Sequence, residues 1–170
     1  VLWFERQHFG DGAPFKAPQH WSKDAVAMST THDLPTIAGW WVGKDIEWRT
    51  RLGLFGQGTN VDGEWHPRRP DREQLVQAFD EAGLDVDGLD PAGAEAPVGT
   101  ALAYLGATRC PLVVVPIEDL LALQEQPNLP GTVDTHPNWR RRLGVDVDTL
   151  FDDPETSARL HALLQARKPS

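Results

Sequence analysis

Apolar residues occur along the chain in short runs, separated by polar stretches that are rich in glycine and proline. Three of these runs predict strands because they are short and almost continuously apolar: Val1–Phe4, Ala25–Ser29 and Leu112–Ile117. The third run is apolar throughout, so we expect it to be buried on both faces, as strands of a parallel sheet are.

Helices are predicted where apolar residues recur at every third or fourth position. The predicted helices are, in chain order, a segment that begins at Pro35, Arg72–Ala82, Pro97–Ala107, the short Leu120–Leu123 and a segment that begins at Asp153. Asp71 is predicted to cap the second helix, and Asp153 caps the last because it precedes a proline. The glycine-rich residues 56–63 are expected to form a break after the first helix.

Strands alternate with helices in this pattern, which is typical of an α/β fold built on a parallel sheet. Only about three strands are predicted, whereas a closed barrel of alternating strands and helices needs eight. The chain is therefore expected to be one sector of a larger α/β structure.

Composition narrows the classes of function. Of the 170 residues, 40% are hydrophobic, which is normal for a globular chain. The formal net charge of −9 argues against a nucleic-acid partner or an anionic membrane surface. No apolar run reaches the ~18 residues of a membrane span and nothing resembles a signal peptide, so we expect a cytoplasmic protein.

Patterns typical of cofactor, metal or ion sites are scarce. The single cysteine, Cys110, excludes an internal disulfide and a metal site built from several cysteines, and its apolar surroundings predict a buried side chain. No two histidines have the i, i+4 spacing of a helical zinc site, so neither a metal nor another cofactor is expected. The basic cluster Arg140–Arg142 has two interpretations, ion pairing with nearby acids or an anion site.

His32 and Asp33 form the most informative polar pair, because they follow the second predicted strand and precede the helix that begins at Pro35. In α/β barrels catalytic groups lie beyond the C-terminal ends of strands. A carboxylate there can stabilise developing positive charge, and an imidazole can hold a hydroxyl group. The structural alternatives are that Asp33 is a helix N-cap and that His32 is a partly buried ring with satisfied hydrogen bonds.

The segment Glu125–Thr132 is the second candidate, because it follows the third predicted strand and should lie at the same end of the sheet. Its prolines and Gly131 would stiffen it and present Asn128. The amide of Asn128 both donates and accepts hydrogen bonds, as recognition of a sugar hydroxyl requires. The alternative is an ordinary connection that is rich in turns.

Tryptophan is unusually abundant, with seven residues against one tyrosine. Trp40, Trp41 and Trp48 fall at helical spacing and are expected to lie in the core. Trp3 and Trp21 are the candidates for stacking on the apolar face of a sugar.

Three groups of residues together resemble motifs of one known family, the 4-alpha-glucanotransferases, which include amylomaltase and disproportionating enzyme. The motifs, in chain order, are Leu2–Glu5, Thr30–Thr36 with Gly39–Trp41, and Glu125–Thr132 with Pro137–Arg141. Their order and spacing agree with the family, and the resemblance runs from Val1 to about Leu143.

The resemblance implies the C-terminal segment of a (β/α)8 TIM barrel of the alpha-amylase superfamily. It also implies a retaining transferase that moves segments of alpha-1,4-glucan between maltooligosaccharides. Such a reaction uses an aspartate nucleophile, a glutamate acid/base and a third carboxylate that stabilises the oxocarbenium-like transition state. Asp33 matches the third carboxylate, His32 the histidine that binds hydroxyls of the reacting glucose, and Asn128 a position near the same sugar.

The resemblance further implies that the nucleophile and the acid/base precede Val1. Arg69–Asp71 and Glu118–Leu120 mimic the motifs of these two groups, but they follow His32 and Asp33, which is the wrong order for the family. The 170-residue chain by itself is therefore expected to be inactive. The alternative function is a non-catalytic carbohydrate-binding or interaction fragment.

For domain organisation, residues 1–170 are expected to form a single C-terminal part of the barrel. Residues 54–97 are expected to be a helical and loop insertion, and residues 152–168 a terminal helix. A neutral glucan needs no basic surface, so the acidic net charge is compatible with this substrate.

Overall fold

The computed structural model describes residues 1–10, 12–56 and 61–167, in which two short strands pair and helices pack around them. The strands are β1 (Val26–Met28) and β2 (Leu112–Val114). The helices are α1 (Ile37–Val42), α2 (Lys44–Arg51), α3 (Val61–Trp65), α4 (Arg68–Glu81), α5 (Val98–Gly106), α6 (Ile117–Leu120) and α7 (Pro154–Ala166). Short 3-10 turns cover Leu2–Phe4, Pro18–His20 and Val147–Thr149.

The two strands run parallel, and Val26 lies opposite Leu112 while Met28 lies opposite Val114. Parallel strands in register end at the same edge of the sheet. The segments that follow β1 and β2 therefore leave the sheet side by side, as the α/β pattern in the sequence predicts.

The strand predicted over Val1–Phe4 is wrong. Leu2–Phe4 forms a 3-10 turn, closed by a hydrogen bond of 3.0 Å from the Phe4 N–H to the Val1 carbonyl. The turn buries Leu2 completely and leaves Phe4 67% exposed. The apolar run thus reaches the core through a tight turn and not through strand pairing.

Strand β2 is shorter than predicted and is not buried on both faces. Leu112 is 53% exposed and Val114 is 38% exposed. The strand ends before Pro116, which cannot donate to a strand ladder and instead precedes α6 as its N-cap. The apolar run from Leu112 to Ile117 is therefore divided between a strand and a helix.

The helix predicted from Pro35 is divided into α1 and α2 by Gly43. This glycine has a φ of 75°, in the left-handed region that other residues rarely adopt. A Cβ atom at Gly43 would also lie 2.2 Å from the ring of Trp65. The N-cap of α1 is Thr36, whose Oγ1 accepts a hydrogen bond of 2.9 Å from the Gly39 N–H.

Helix α4 begins at Arg68, so the prediction that Asp71 caps a helix over Arg72–Ala82 is wrong. Asp71 lies in the first turn of α4 and accepts a hydrogen bond of 3.3 Å from Arg6. Pro70 also lies in that turn, where its missing N–H costs no intrahelical bond. The break predicted over residues 56–63 includes residues 57–60, which lie outside the described ranges, whereas its end already belongs to α3.

The prediction for α5 is confirmed, since its apolar face is buried at Val98, Ala101, Leu102 and Leu105. Asp153 caps α7 as predicted and accepts a hydrogen bond of 2.8 Å from the Thr156 N–H. Helices α5 and α7 pack closely together. Residue 168, at the end of the predicted terminal helix, lies outside the described ranges.

The hydrophobic core contains side chains from the N-terminal turn, β1, α1, α4, α5 and α7. Trp40, Trp41 and Cys110 are buried in it, as predicted, whereas Trp48 is only half-buried. Over the described part of the chain, no helix combines the length and hydrophobicity needed to cross a bilayer.

Candidate active site

The first site segment is the loop between β1 and α1. The hydroxyl of Thr30 donates a hydrogen bond of 2.8 Å to the Pro35 carbonyl, and the Leu34 N–H donates one of 3.2 Å to the Thr31 carbonyl. These bonds fold the loop onto itself and hold His32 and Asp33 at its outer part.

The second site segment follows α6 and is fixed by two amide side chains, Gln126, which is buried, and Asn138, which is half-buried. Gln126 is 4% exposed and donates a hydrogen bond of 2.5 Å to the Asn128 carbonyl. Asn138 accepts a hydrogen bond of 2.9 Å from the Leu129 N–H and donates one of 3.1 Å to the Thr132 carbonyl. The backbone on both sides of the Asn128 side chain is therefore held in place.

The structure brings together all three predicted site residues. Asp33 Oδ2 lies 3.2 Å from His32 Nε2, and Asp33 Oδ1 accepts a hydrogen bond of 2.6 Å from Asn128 Nδ2. The Asn128 N–H also donates a hydrogen bond of 3.2 Å to the His32 carbonyl. Residues 95 positions apart in the sequence thus form one polar cluster.

This cluster can bind a polyhydroxylated ligand and stabilise positive charge. The side chains of His32 and Asp33 are 55% and 47% exposed, so both are accessible from solvent. Asn128 uses its amide nitrogen toward the carboxylate. Its Oδ1 accepts no hydrogen bond from the described residues, so it can accept one from a hydroxyl. The alternative that Asp33 caps α1 is wrong, because Thr36 occupies that position.

Trp139 adjoins the cluster and was not predicted as a site residue. Its side chain is 67% exposed, and its ring centroid lies 5.2 Å from that of His32. Trp139 has a φ of 58°, and its backbone N–H donates a hydrogen bond of 2.9 Å to the Pro127 carbonyl. The only sequence signal for this position was its place in the motif Pro137–Arg141.

The two tryptophans predicted to stack on sugar are buried instead. Trp3 is 9% exposed and stacks on Trp40 with ring centroids 4.5 Å apart. Trp21 is 5% exposed, and its indole N–H donates a hydrogen bond of 3.0 Å to the Lys16 carbonyl. Both rings pack in the protein core, so neither presents a face to a ligand.

Ion pairs account for two members of the arginine cluster, as one of the two interpretations predicted. Arg140 lies 2.9 Å from Asp134, and Arg141 lies 3.0 Å from Glu125. Glu125 also accepts a hydrogen bond of 2.8 Å from the Trp48 indole N–H. The Trp48 contact ties the second site segment to helix α2. Glu125 and Arg141 line a cavity of about 320 Å³ beside Trp139.

A buried carboxyl group lies where the two segments start. Asp119 has no exposed surface. Its Oδ2 accepts a hydrogen bond from the Ser29 hydroxyl, and its Oδ1 accepts one of 2.7 Å from the Ile37 N–H. Burial raises the pKa of Asp119 to about 6, against the opposing effect of both hydrogen bonds. In the sequence, Asp119 stands out only as part of the motif mimic Glu118–Leu120.

Comparison with known proteins gives one consistent family. Residues 1–146 match the family model described as 4-alpha-glucanotransferase. The 4-alpha-glucanotransferase of Mycobacterium bovis is 36% identical over 172 residues, covering 98% of this chain and 23% of that protein. The 4-alpha-glucanotransferase of Haemophilus influenzae is 25% identical over 166 residues, covering 90% of this chain and 22% of that protein.

Among solved structures, the amylomaltase of Corynebacterium glutamicum has a TM-score of 0.77 and 24% sequence identity to this chain. The superposition covers 99% of this chain and 25% of that one. This likeness, together with the match to the family model, confirms the predicted fold, a partial (β/α)8 barrel. The chain spans about a quarter of the length of the relatives that it matches. Since the family model extends over most of its residues, the chain belongs to the 4-alpha-glucanotransferase family.

Proposed function

We propose that this chain supplies the third-carboxylate side of the active site of a 4-alpha-glucanotransferase. In this proposal Asp33 stabilises the transition state, while His32 and Asn128 bind hydroxyls of the reacting glucose. The observation that supports it is the contact of Asp33 with His32 and with Asn128, at 3.2 and 2.6 Å. The substrates are maltooligosaccharides and other alpha-1,4-glucans.

The reaction is a retaining double displacement. An aspartate nucleophile attacks the anomeric carbon while a glutamate protonates the oxygen of the leaving glucan. The resulting covalent glucosyl-enzyme is then attacked by the 4-hydroxyl of a second glucan, and the glutamate takes up the proton of that hydroxyl. Transfer prevails over hydrolysis when the bound acceptor excludes water from the intermediate.

The nucleophile and the acid/base are proposed to lie upstream of Val1. The two motif mimics within the chain are poor candidates, because both follow His32 and Asp33, which is the wrong order for the family. Asp71 is also paired with Arg6 at 3.3 Å. By this reasoning, the 170 residues on their own cannot complete the reaction.

Asp33 suits the stabilising role because its charge is held at a fixed place without being buried. Each of its two oxygens contacts one partner, and 47% of its side chain remains exposed. A bound glucose would cover this surface and remove water, which strengthens the attraction between the carboxylate and a positively charged sugar ring.

The test is Asp33→Asn in a full-length 4-alpha-glucanotransferase polypeptide that contains this segment. We expect kcat for transfer between maltooligosaccharides to fall by at least about 100-fold, as for other preorganised electrostatic groups, with the glucan Kd nearly unchanged. The matched control is Asp24→Asn, which makes the same chemical change at an exposed carboxylate before β1. Equal turnover of the two variants would contradict the role of Asp33.

The 170-residue chain alone is tested with maltotriose in a coupled assay for glucose. We expect no sustained glucose release and no chain elongation, and either one would overturn the proposal that the other two carboxylates lie upstream. If the full-length Asp33→Asn variant keeps both its turnover and its affinity for glucan, the result would favour the alternative, a binding role without catalysis.

A further inference from the structure

Asp119 holds both ends of the loop that carries His32 and Asp33. Ser29, which donates its hydroxyl to Asp119, is the residue directly after β1. Ile37, which donates its N–H at 2.7 Å, is the first residue of α1. One buried carboxyl group therefore fixes where the loop leaves the strand and where it enters the helix.

The same carboxyl group belongs to the helix that leads into the second site segment. Asp119 lies in α6, and the chain continues from there to Asn128. Two further bonds join the segments beyond Asp119. Thr36 donates a hydrogen bond of 2.5 Å to the Leu123 carbonyl, and the Asn128 N–H donates one of 3.2 Å to the His32 carbonyl.

A carboxyl group suits this place because both neighbours are donors. The Ile37 N–H can only donate, and the Ser29 hydroxyl uses its proton toward Asp119. An apolar side chain here would leave a buried N–H without an acceptor. None of the ion pairs among the described residues includes Asp119, so no cation offsets the cost of burying it.

We infer that Asp119 is a positioning residue that sets the hydrogen bond between Asp33 and Asn128 by fixing the two segments against each other. The inferred effect on the Asp33–Asn128 contact is independent of what the site does. Its effect on catalysis rests on the proposed function.

The contact is tested by NMR on the 170-residue chain. The side-chain amide signal of Asn128 reports its bond to Asp33, and the indole N–H of Trp41, which donates to the Gly93 carbonyl at 3.1 Å, reports the core. In Asp119→Ala we expect the Asn128 signal to move to the position of a free amide while the Trp41 signal stays. In Asp119→Asn we expect both signals to be retained, because its oxygen can accept from Ile37 and its nitrogen can donate to the Ser29 hydroxyl.

An unchanged Asn128 signal in Asp119→Ala would overturn the inference. If Asp119→Ala loses both signals through unfolding, the inference is tested with Ser29→Ala, which removes only one of the two hydrogen bonds to Asp119. Selective loss of the Asn128 signal in Ser29→Ala supports the inference. Retention of the Asn128 signal, or loss of the Trp41 signal as well, refutes it.

The catalytic consequence is tested in the full-length polypeptide. Misplacement of a catalytic group by about 1 Å can cost about 100-fold in rate, so we expect a fall of that order in kcat for Asp119→Ala, with rescue by Asp119→Asn. The control is Gly106→Ala, which perturbs the α5–α7 interface outside the two site segments and should leave kcat of the folded enzyme unchanged. If Asp119→Ala retains full kcat while Asp33→Asn loses activity, the positioning role fails and the proposed function stands.

Discussion

Replacing Gly106 by alanine should open the interface between α5 and α7. Gly106 ends α5, and a Cβ atom there would lie 2.3 Å from the Leu163 carbonyl oxygen and 3.1 Å from the Cβ atom of Ala166. Ordinary contacts of a Cβ atom begin at 3.4 Å, so the two helices must move apart by about 1 Å. The nearest atom, the Leu163 carbonyl oxygen, belongs to a helix backbone and cannot rotate away.

Two effects of opposite sign set the magnitude. Overpacking of this kind costs about 1–3 kcal/mol. Replacing glycine by alanine in a helix gains up to about 1 kcal/mol through intrinsic propensity. We therefore expect Gly106→Ala to lower the free energy of unfolding by about 1–2 kcal/mol, which corresponds to a fall in Tm of about 2–8 °C for a chain of this size.

The assay is urea unfolding of the 170-residue chain, followed by circular dichroism. The matched control is Gly99→Ala in the same helix, because the nearest atom to its Cβ position is Arg159 Cγ at 4.0 Å. Gly99→Ala should be neutral or stabilising by up to about 1 kcal/mol. Equal stability of the two variants would refute the reasoning, since the helix propensity alone would then explain both.

Three further predictions concern the site and its support. Thr36→Val removes the N-cap of α1 and the hydrogen bond to the Leu123 carbonyl, and should lower the free energy of unfolding by about 1–2 kcal/mol in urea melts. The control is Thr50→Val at an exposed position, which should leave the free energy of unfolding unchanged. The pKa of Asp119 is about 6 in the folded chain and about 3.9 in the unfolded chain, so the native state binds the carboxyl proton more tightly. The protonated group therefore contributes stability at low pH, and this contribution is lost as pH rises through 6. Between pH 4.5 and pH 8 the free energy of unfolding of the unsubstituted chain should therefore fall by about 2 kcal/mol relative to that of Asp119→Asn. Unfolding free energies that vary with pH in parallel in the two proteins would contradict this. Trp139→Ala should weaken maltooligosaccharide binding by up to about tenfold in a fluorescence titration, whereas Trp21→Phe, a change in the core, should leave the Kd unaltered.

The sequence could predict that His32, Asp33 and Asn128 lie at the same end of the sheet, because this placement follows from chain order. Each lies in a segment that follows a predicted strand, and parallel strands deliver such segments to one edge. The distances between Asp33, His32 and Asn128 could not be predicted, because they depend on side chains from both segments.

Trp139 and Asp119 were missed for a related reason. The local sequence does not distinguish an exposed tryptophan from a buried one. It also does not indicate that Asp119 accepts hydrogen bonds from donors 82 and 90 positions away. The reverse holds for Trp3, which the sequence predicts as a sugar-stacking residue but which a turn directs into the core against Trp40. Burial of single aromatic or acidic residues is decided by tertiary packing, which periodicity does not report.

The buried face of α5 was predicted better than the helix boundaries. The spacing of apolar residues in α5 follows directly from helical geometry, and all four predicted core positions are buried. The boundary at Gly43 depends on a left-handed backbone and on the neighbouring ring of Trp65, which come from different parts of the chain. The start of α4 was placed too late because Asp71 was interpreted as a cap, although it pairs with Arg6.

The pairing of β1 with β2 has a consequence for how the chain folds. Helices such as α5 form from local contacts, whereas the two strands must meet across the whole segment between Met28 and Leu112. Closure of such a long loop is slow because its entropy must be overcome before the pairing contributes stability. The hydrogen bond between Asp33 and Asn128 spans 95 positions and depends on this closure. In a refolding experiment the site should therefore form after the helices, in the same phase as the parallel sheet.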